Sequence, residues 1–347
     1  MEMERKKGLS GFALKLVAIV TMVIDHIGAT IVERSMIARG FNEAAHKGSK
    51  SLTEWMNNPI SNYMLYDLNN LMRSVGRLAF PLFCFLLVEG FEHTKSKKKY
   101  ALRMALFCLI SEIPFNLAFA TGWIALDQQN VFFTLTLGLL AMWGISAIKE
   151  HAYEGIIWKV LKQVSFFLFG VTVWYTVMRQ TILGAIITSM PIFEPLYTQK
   201  TVFGMVAEVP NKEFWLLAVL CGLLAITIFN FATARKEEEK VISEALSWFP
   251  VYGAMLLAQI LMTDYASAGV LTIVLMYFFR AKKTKEMLVG CIALTLMNPS
   301  EVFAFLDLVF VYLYNGTRGK SIKYFFYAFY PVHLTILYLI GHSMGIM

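Results

Sequence analysis

Apolar runs long enough to cross a bilayer follow one another along almost the whole chain. The first extends from Phe12 to Val32, and similar runs recur nearly to the C-terminus. A helix needs about 20 mainly apolar residues to cross the hydrocarbon core of a membrane. Only 16% of the residues are charged, whereas about 25% is usual for soluble domains. The chain is therefore predicted to be an integral membrane protein, with no stretch that resembles a soluble catalytic domain.

The basic residues between the apolar runs predict the orientation of the chain. Lys and Arg concentrate in cytoplasmic loops, so the clusters at 5–7 and 95–103 place the N-terminus and the next basic loop inside. Followed along the chain, this rule predicts an all-α polytopic bundle of about 11 transmembrane helices, with the N-terminus cytoplasmic and the C-terminus outside. The predicted spans are 12–32, 74–91, 103–120, 131–148, 163–190, 213–232, 244–263, 266–280, 286–297, 301–314 and 322–342.

The chain is predicted to form one transmembrane domain over 1–347, with extracytoplasmic loops at 33–73 and 190–212. The start, MEMERKKG before an apolar run, resembles a signal peptide, but no clear cleavage site follows, so we expect a retained first helix. The net charge of +7 is explained by the basic cytoplasmic loops, and we expect no nucleic-acid partner. The four cysteines lie in apolar runs without metal-ligand or disulfide spacing, and we expect no bound metal.

Several ionisable or polar side chains fall inside the predicted spans or at their outer ends. Such groups are costly in hydrocarbon and commonly face a polar cavity, so each is a functional candidate. Interhelical hydrogen bonds that hold the bundle together are the structural alternative. The candidates are Asp25, His26, Arg77, Glu112, Asp307 and His333 within spans, and Asn130 and Asp264 at outer helix ends.

Asp25 and His26 are adjacent in the stretch MVIDHIGA. On a helix, adjacent side chains point about 100° apart, so each needs its own partner. His26 is the better general base because imidazole titrates near neutral pH. Asp25 is expected to pair with an arginine or to hold neighbouring backbone. A metal site is the weaker interpretation, because the chain lacks HxxH or HxxxH spacing.

Seven blocks of the sequence, in order along nearly the whole chain, resemble the TraX family. They are LKLVAIVTMVIDHIGA, GRLAFPLFCFLLVEGF, YALRMALFCLISEIPFNLAF, QNVFFTLTLGLL, DYASAGVLTIVLMYF, YNGTRGK and KYFFYAFYPVHLTILYLI. That family is named for a conjugative-plasmid protein that N-acetylates pilin. It is similar to the wider group of transmembrane acyltransferases that includes the acyltransferase-3 enzymes and the lysosomal heparan acetyltransferase. Between about 150 and 245 the chain has no matching block.

The resemblance implies an enzyme that passes an acetyl group from cytosolic acetyl-CoA to an acceptor at the outer face. In the related acyltransferases a histidine near the outer end of an early helix is essential, and His26 matches it. Arg77 matches the arginine of the second helix, and either it or Asn130 would face the oxyanion. Direct attack of the acceptor and a covalent acetyl-histidine intermediate both stay open. His333, in FYPVHL, is predicted to be functional, as a residue of the acetyl-CoA channel, with a structural histidine as the alternative.

Coenzyme A carries phosphates, which need cations at the inner side. Arg103, Arg318 and Lys320 are predicted to bind it, with Asn130 and Tyr330 as further contacts. Positive-inside topology by itself accounts for the lysines at 97–99.

The alternative to the acetyltransferase is a proton-coupled transporter or flippase that uses the buried histidines and carboxylates. Transporters of that kind are commonly built from internal repeats, and none is visible in the sequence. The expected location is a bacterial cytoplasmic membrane. The acceptor, an amine or a hydroxyl of a protein N-terminus or a sugar, and a homodimeric state both stay open.

Overall fold

The structure of the protein is a computed structural model that describes residues 8–120, 122–125, 128–191, 196–202, 205–320 and 322–347. Side chains are described for these residues except 199–208 and 323. The basic cluster at 5–7, used above to orient the N-terminus, lies outside the described residues. So do residues 192–195 and 203–204 of the predicted outer loop.

The described residues are almost entirely helical. The first half contains α1 Gly11–Ile27, α2 Glu33–Ala38, α3 Phe41–His46, α4 Ser49–Asn57, α5 Ile60–Gly76, α6 Ala79–Glu92, α7 Lys97–Phe115, α8 Val131–Lys149, α9 Ile156–Gln180 and α10 Ile182–Thr188. The second half contains strands β1 Tyr197–Val202 and β2 Met205–Pro210, then α11 Lys212–Thr233, α12 Glu238–Leu246, α13 Phe249–Ile260, α14 Ala266–Phe279, α15 Lys283–Met297, α16 Asp307–Tyr312 and α17 Lys323–Ser343. π-helical turns at Gly28–Val32 and Asn116–Ala120 and a 3-10 helix at Pro299–Leu306 complete the order.

Eight helices of the described part are long and apolar enough to cross a membrane, which confirms an all-α multi-pass membrane protein. They cover Gly11–Ala38, Ile60–His93, Lys97–Ala120, Val131–Lys149, Ile156–Gln180, Lys212–Thr233, Glu238–Ile260 and Tyr324–Ser343. The remaining predicted spans are helical but shorter: Ala266–Phe279, for instance, rises only about 21 Å at 1.5 Å per residue. The total of about 11 spans and the sides of the two termini stay predictions.

The two segments predicted as outer loops have structure of their own. Residues 33–73 fold into α2, α3, α4 and most of α5, so this segment is a helical excursion instead of an irregular loop. In the second segment, β1 and β2 pair antiparallel, from Tyr197 opposite Pro210 to Val202 opposite Met205.

The core lies where α1, α6, α8, α13, α14 and α15 pack around one another. Fully buried side chains such as Leu14, Phe85, Met142 and Ile273 fill it. Because these side chains are closely packed, the polar side chains of the same helices are held in well-defined positions. Helices α9 and α11 pack mainly against each other at one side of this bundle, with small apolar clusters of their own.

Candidate active site

Two histidines from opposite ends of the sequence meet inside the bundle. Nδ1 of His26, near the end of α1, lies 2.7 Å from Nε2 of His333, in the middle of α17. Their rings are nearly parallel, with 10° between the planes. His333 is buried, whereas His26 is half-buried. The pair joins the first and last helices at one point.

The hydrogen bonds of this pair fix which nitrogen carries a proton when both rings are neutral. Nδ1 of His333 lies 2.9 Å from the carbonyl oxygen of Phe329, which can only accept, so this nitrogen donates. Nε2 of His333 is then an acceptor, and Nδ1 of His26 must donate to it. The lone pair of His26 is left on Nε2, which forms no hydrogen bond to any described residue. His26 is therefore arranged as a base whose orientation a second histidine maintains.

Irregular backbone surrounds His26 on two sides. The π-helical turn Gly28–Val32 begins two residues after it, and the turn Asn116–Ala120 contains Phe119, whose ring packs edge-on against the imidazole at 5.3 Å. Tyr330 packs against the imidazole from α17 at 5.9 Å. π-helical turns inside longer helices are rare and occur frequently at functional sites. The positions of these two turns thus indicate His26, the side chain that the sequence analysis also singled out.

A chain of ion pairs extends from the residue next to His26. Asp25 Oδ2 lies 2.7 Å from Nη1 of Arg73, and Oδ1 lies 3.6 Å from Nη2 of Arg77. Nη1 of Arg77 lies 2.7 Å from Oε1 of Glu301. Asp25 thus pairs with arginines, as its position in the sequence predicted. The network ties α1, the α5–α6 junction and the 3-10 helix Pro299–Leu306 together beside the histidines.

The backbone of α5 approaches Asp25 so closely that only glycine fits at its last position. A Cβ on Gly76 would overlap the Asp25 side chain, whereas a Cβ on Gly253 in α13 would meet no atom within 4 Å. We expect Gly76→Ala to lower the free energy of unfolding by about 1–3 kcal/mol, because the added atom forces the two helices apart. Gly253→Ala should be neutral or slightly stabilising. Thermal unfolding in detergent checks this, and equal melting temperatures for the two variants would contradict it.

Asn130 caps the N-terminus of α8 and holds a carboxylate of α7. Its Oδ1 accepts from the N–H of Phe132 at 3.0 Å, while Nδ2 donates to the Cys108 carbonyl at 3.0 Å and to Glu112 at 2.5 Å. Both amide hydrogens are used in this way. Asn130 therefore cannot face an oxyanion without losing a partner. Among the described residues, Nη2 of Arg77 has only its 3.6 Å contact with Asp25, so Arg77 is the better of the two predicted donors.

Asp264 lies in the turn between α13 and α14, at the same end of the bundle as Asn130. The N–H of Asp264 donates to the carbonyl of Gln129 at 2.8 Å, and its own carbonyl accepts from the Thr134 hydroxyl. Burial raises the pKa of the Asp264 carboxyl to about 6, and the charge of Arg77 opposes that rise. The turn is thus hydrogen-bonded to the start of α8, and Arg77 of the ion-pair network is close enough for its charge to act on the Asp264 carboxyl.

Asp307 does not join these contacts. Its side chain is fully buried at the start of α16, and neither carboxylate oxygen has a hydrogen-bond partner among the described residues. Cys291 of α15 is close enough to interact electrostatically with it. The described residues contain no group of three or more His, Cys, Asp or Glu side chains that could hold a metal ion.

Of the other residues predicted to bind coenzyme A, Tyr330 packs against both histidines, whereas Arg103, Arg318 and Lys320 have no contact with them. Arg103 of α7 lies over the ring of Tyr100, and Arg318 and Lys320 lie in the exposed loop before α17. That loop is bound to the start of α1, where the N–H groups of Gly11 and Phe12 donate to the carbonyls of Thr317 and Arg318 at 2.8 and 3.0 Å.

Three residues of the site were not singled out from the sequence. Arg73 has a visible signal, since it precedes Arg77 by one helical turn and both side chains lie on one face of the helix. Glu301 is the first residue of the predicted span 301–314, so the criterion that selected Asn130 and Asp264 at outer helix ends applied to it as well. Phe119 has no such signal, because an aromatic residue in an apolar run is ordinary and only the packing places it on His26.

Comparison with known proteins agrees with the resemblance noted in the sequence. The profile of the family described as "TraX protein" matches residues 10–181 and 192–341. A probable fimbrial assembly protein FimC, serogroup H1, of Dichelobacter nodosus is 32% identical over 152 residues, which is 40% of this chain and 48% of the relative. The chain thus matches about half the length of that relative. No solved structure matches.

Proposed function

Because the chain belongs to the TraX family, we propose that it is a membrane acetyltransferase that moves an acetyl group from cytosolic acetyl-CoA to an acceptor at the outer face of a bacterial cytoplasmic membrane. One observation carries the proposal: the hydrogen bonds from the Phe329 carbonyl through His333 to His26 leave Nε2 of His26 free to accept a proton. A base oriented by a second group is the usual arrangement for activating a nucleophile in acyl transfer.

The reaction we propose is a direct transfer. The nitrogen of the acceptor amine attacks the thioester carbonyl, and Nε2 of His26 removes a proton from that amine at the same time. An amide bond forms and the carbon–sulfur bond breaks. The thiolate of coenzyme A leaves and takes up the proton from His26. The imidazolium of His26 is stabilised meanwhile by its hydrogen bond to His333, and the guanidinium of Arg77 provides positive charge for the oxyanion.

A covalent acetyl-histidine is the competing route, in which Nε2 of His26 attacks the thioester itself. The same free lone pair serves both routes, so the geometry favours neither. Incubation with labelled acetyl-CoA and no acceptor separates them. Direct transfer leaves the protein unlabelled after denaturation, whereas the covalent route leaves label on the peptide that contains His26.

The acceptor we propose is the N-terminal amine of a pilin subunit. The basis is the similarity to a probable fimbrial assembly protein and to a family named for a pilin acetyltransferase. Purified protein, labelled acetyl-CoA and pilin supplied with a free or a chemically blocked N-terminus test this. We expect label and CoA release only with the free amine, at a rate well above that without pilin. Transfer to sugar hydroxyls instead would overturn the choice of acceptor but not the reaction class.

Proton-coupled transport is the second candidate, and one observation favours it. Asp307 is fully buried, and neither of its carboxylate oxygens has a hydrogen-bond partner among the described residues. Carboxyl groups of this kind commonly carry protons in transporters. Intact protein that binds no acetyl-CoA, but acidifies proteoliposomes when an amine gradient is imposed, would favour transport over transfer.

A further inference from the structure

Lys15 is a cation inside the first helix that the sequence analysis did not single out. It lies on α1, half-buried, with its ammonium group 5.4 Å from the centre of the Phe326 ring on α17. It forms no ion pair with a carboxylate among the described residues. The charge that acts on it most is that of another cation, Arg318 in the loop bound to the start of α1.

Arg103 of α7 occupies a similar position beside α17. Its guanidinium lies 5.9 Å from the centre of the Tyr100 ring and interacts with the hydroxyl of Tyr327. The Nε–H is buried and has no acceptor in the part of the chain that the structure describes. No carboxylate of that part pairs with Arg103. A buried guanidinium donor without an acceptor is costly unless a ligand supplies one.

Several other half-buried cations of the bundle have a carboxylate partner. Arg73 and Arg77 both contact Asp25, and Lys283 lies 3.6 Å from Glu286. Arg34 and Lys97, which are also half-buried, donate instead to neutral oxygens. The ammonium group of Lys15 and the Nε–H of Arg103 have neither kind of acceptor among the described residues, which leaves unpaired positive charge beside α17.

The two cations lie beside consecutive residues of α17, Phe326 and Tyr327. His333 follows six residues after Tyr327 on the same helix, a rise of about 9 Å. Tyr330 lies between them and packs against His26. The cations and the histidine pair are therefore at two levels of one helix, with an aromatic side chain between.

From these positions we infer that Lys15 and Arg103 bind a phosphate group of a ligand at the inner end of α17. Cations with unused donors beside aromatic rings suit a phosphate ester, which accepts several charge-assisted hydrogen bonds. If the proposed function is correct, the phosphate belongs to coenzyme A, whose pantetheine arm then follows α17 toward His26. A phospholipid headgroup offers the same chemistry, because lysines near a membrane surface extend to lipid phosphates.

Binding of coenzyme A and of pantetheine, which lacks the phosphates, to the purified full-length protein tests this. We expect Lys15→Gln and Arg103→Gln each to weaken the binding of coenzyme A by about 10- to 100-fold and to leave that of pantetheine within about twofold. Lys15→Arg should retain most of the affinity, since it keeps the charge. Lys98→Gln is the matched control, because this lysine is exposed on the same inner segment and should have no effect. Melting temperatures confirm that each variant is folded.

A second arm measures the binding of labelled phosphatidylglycerol to the same proteins in phosphatidylcholine nanodiscs. Loss of coenzyme A binding in the variants assigns the phosphate to the donor. Loss of phosphatidylglycerol binding alone keeps the phosphate site and assigns it to lipid. If the wild-type protein binds no coenzyme A, the proposed function fails, and the lipid arm still decides the phosphate site. Unchanged binding of both ligands in folded variants overturns the inference.

Discussion

Replacing His26 by Gln is expected to lower the rate of CoA release from acetyl-CoA by about 10²- to 10⁴-fold, which is the usual contribution of a general base. Glutamine is close in size and can still donate to Nε2 of His333, but it cannot accept the proton of the acceptor. The measurement is free thiol released in the presence of the amine acceptor. Because only the base is removed, the affinity for acetyl-CoA should change little.

His151→Gln is the matched control, since this histidine is exposed in the loop after α8 and should leave the rate unchanged. His333 offers a finer test of how the base is oriented. His333→Gln keeps an oxygen that can accept from Nδ1 of His26, whereas His333→Leu does not, so the leucine variant should lose more activity. A His26→Gln enzyme that is folded, binds acetyl-CoA and turns over normally would rule out the catalytic role.

Replacing Arg77 by Met is expected to lower the free energy of unfolding by about 3–5 kcal/mol, because it leaves a buried carboxylate without its partner. The Arg77 and Glu301 side chains are only 15% and 2% exposed, and their closest atoms are 2.7 Å apart. Removing both charges together, as in Arg77→Met with Glu301→Leu, should restore most of the stability, since no unpaired charge then stays buried. Chemical unfolding in mixed micelles compares the three proteins.

The control for this pair is an exposed one. Lys159 and Glu238 are also 2.7 Å apart, but each side chain is nearly half exposed, so Lys159→Met should cost at most about 1 kcal/mol. If Arg77→Met costs no more than Lys159→Met, the ion-pair network is not what holds α5, α6 and the 3-10 helix together. The double variant also separates stability from chemistry, because it should be folded and yet slow in acetyl transfer if Arg77 faces the oxyanion.

Much of the fold follows from local properties of the sequence. Apolar runs of sufficient length must become helices in lipid, because the backbone has no other partners there. The eight long helices therefore lie close to the predicted spans. The helices at 33–73 were not predicted, because their mixed charged and apolar residues form no long apolar run. The helices α2, α3 and α4 are short, and α5 continues the predicted span at 74–91 toward its N-terminus.

For the candidate site, the sequence predicted several of the residues but not their contacts with one another. Depth along each helix placed His26, Arg77 and His333 in comparable layers of the membrane, since the rise per residue is constant. Depth does not say which helices are neighbours. Helix packing decides the contacts: His333 is hydrogen-bonded to His26, Asn130 donates to Glu112, and Asp307 contacts none of these residues.

The sequence by itself determined that this is a helical membrane protein and which of its polar side chains are candidates for a buried site, because hydrophobic length and the cost of burying charge act on each segment alone. The tertiary structure decided the rest. It brought the first and last helices together so that a carbonyl, two imidazoles and their hydrogen bonds orient one lone pair. It also left Lys15 and Arg103 without carboxylates beside α17, since the pairing of charges on different helices depends on their packing.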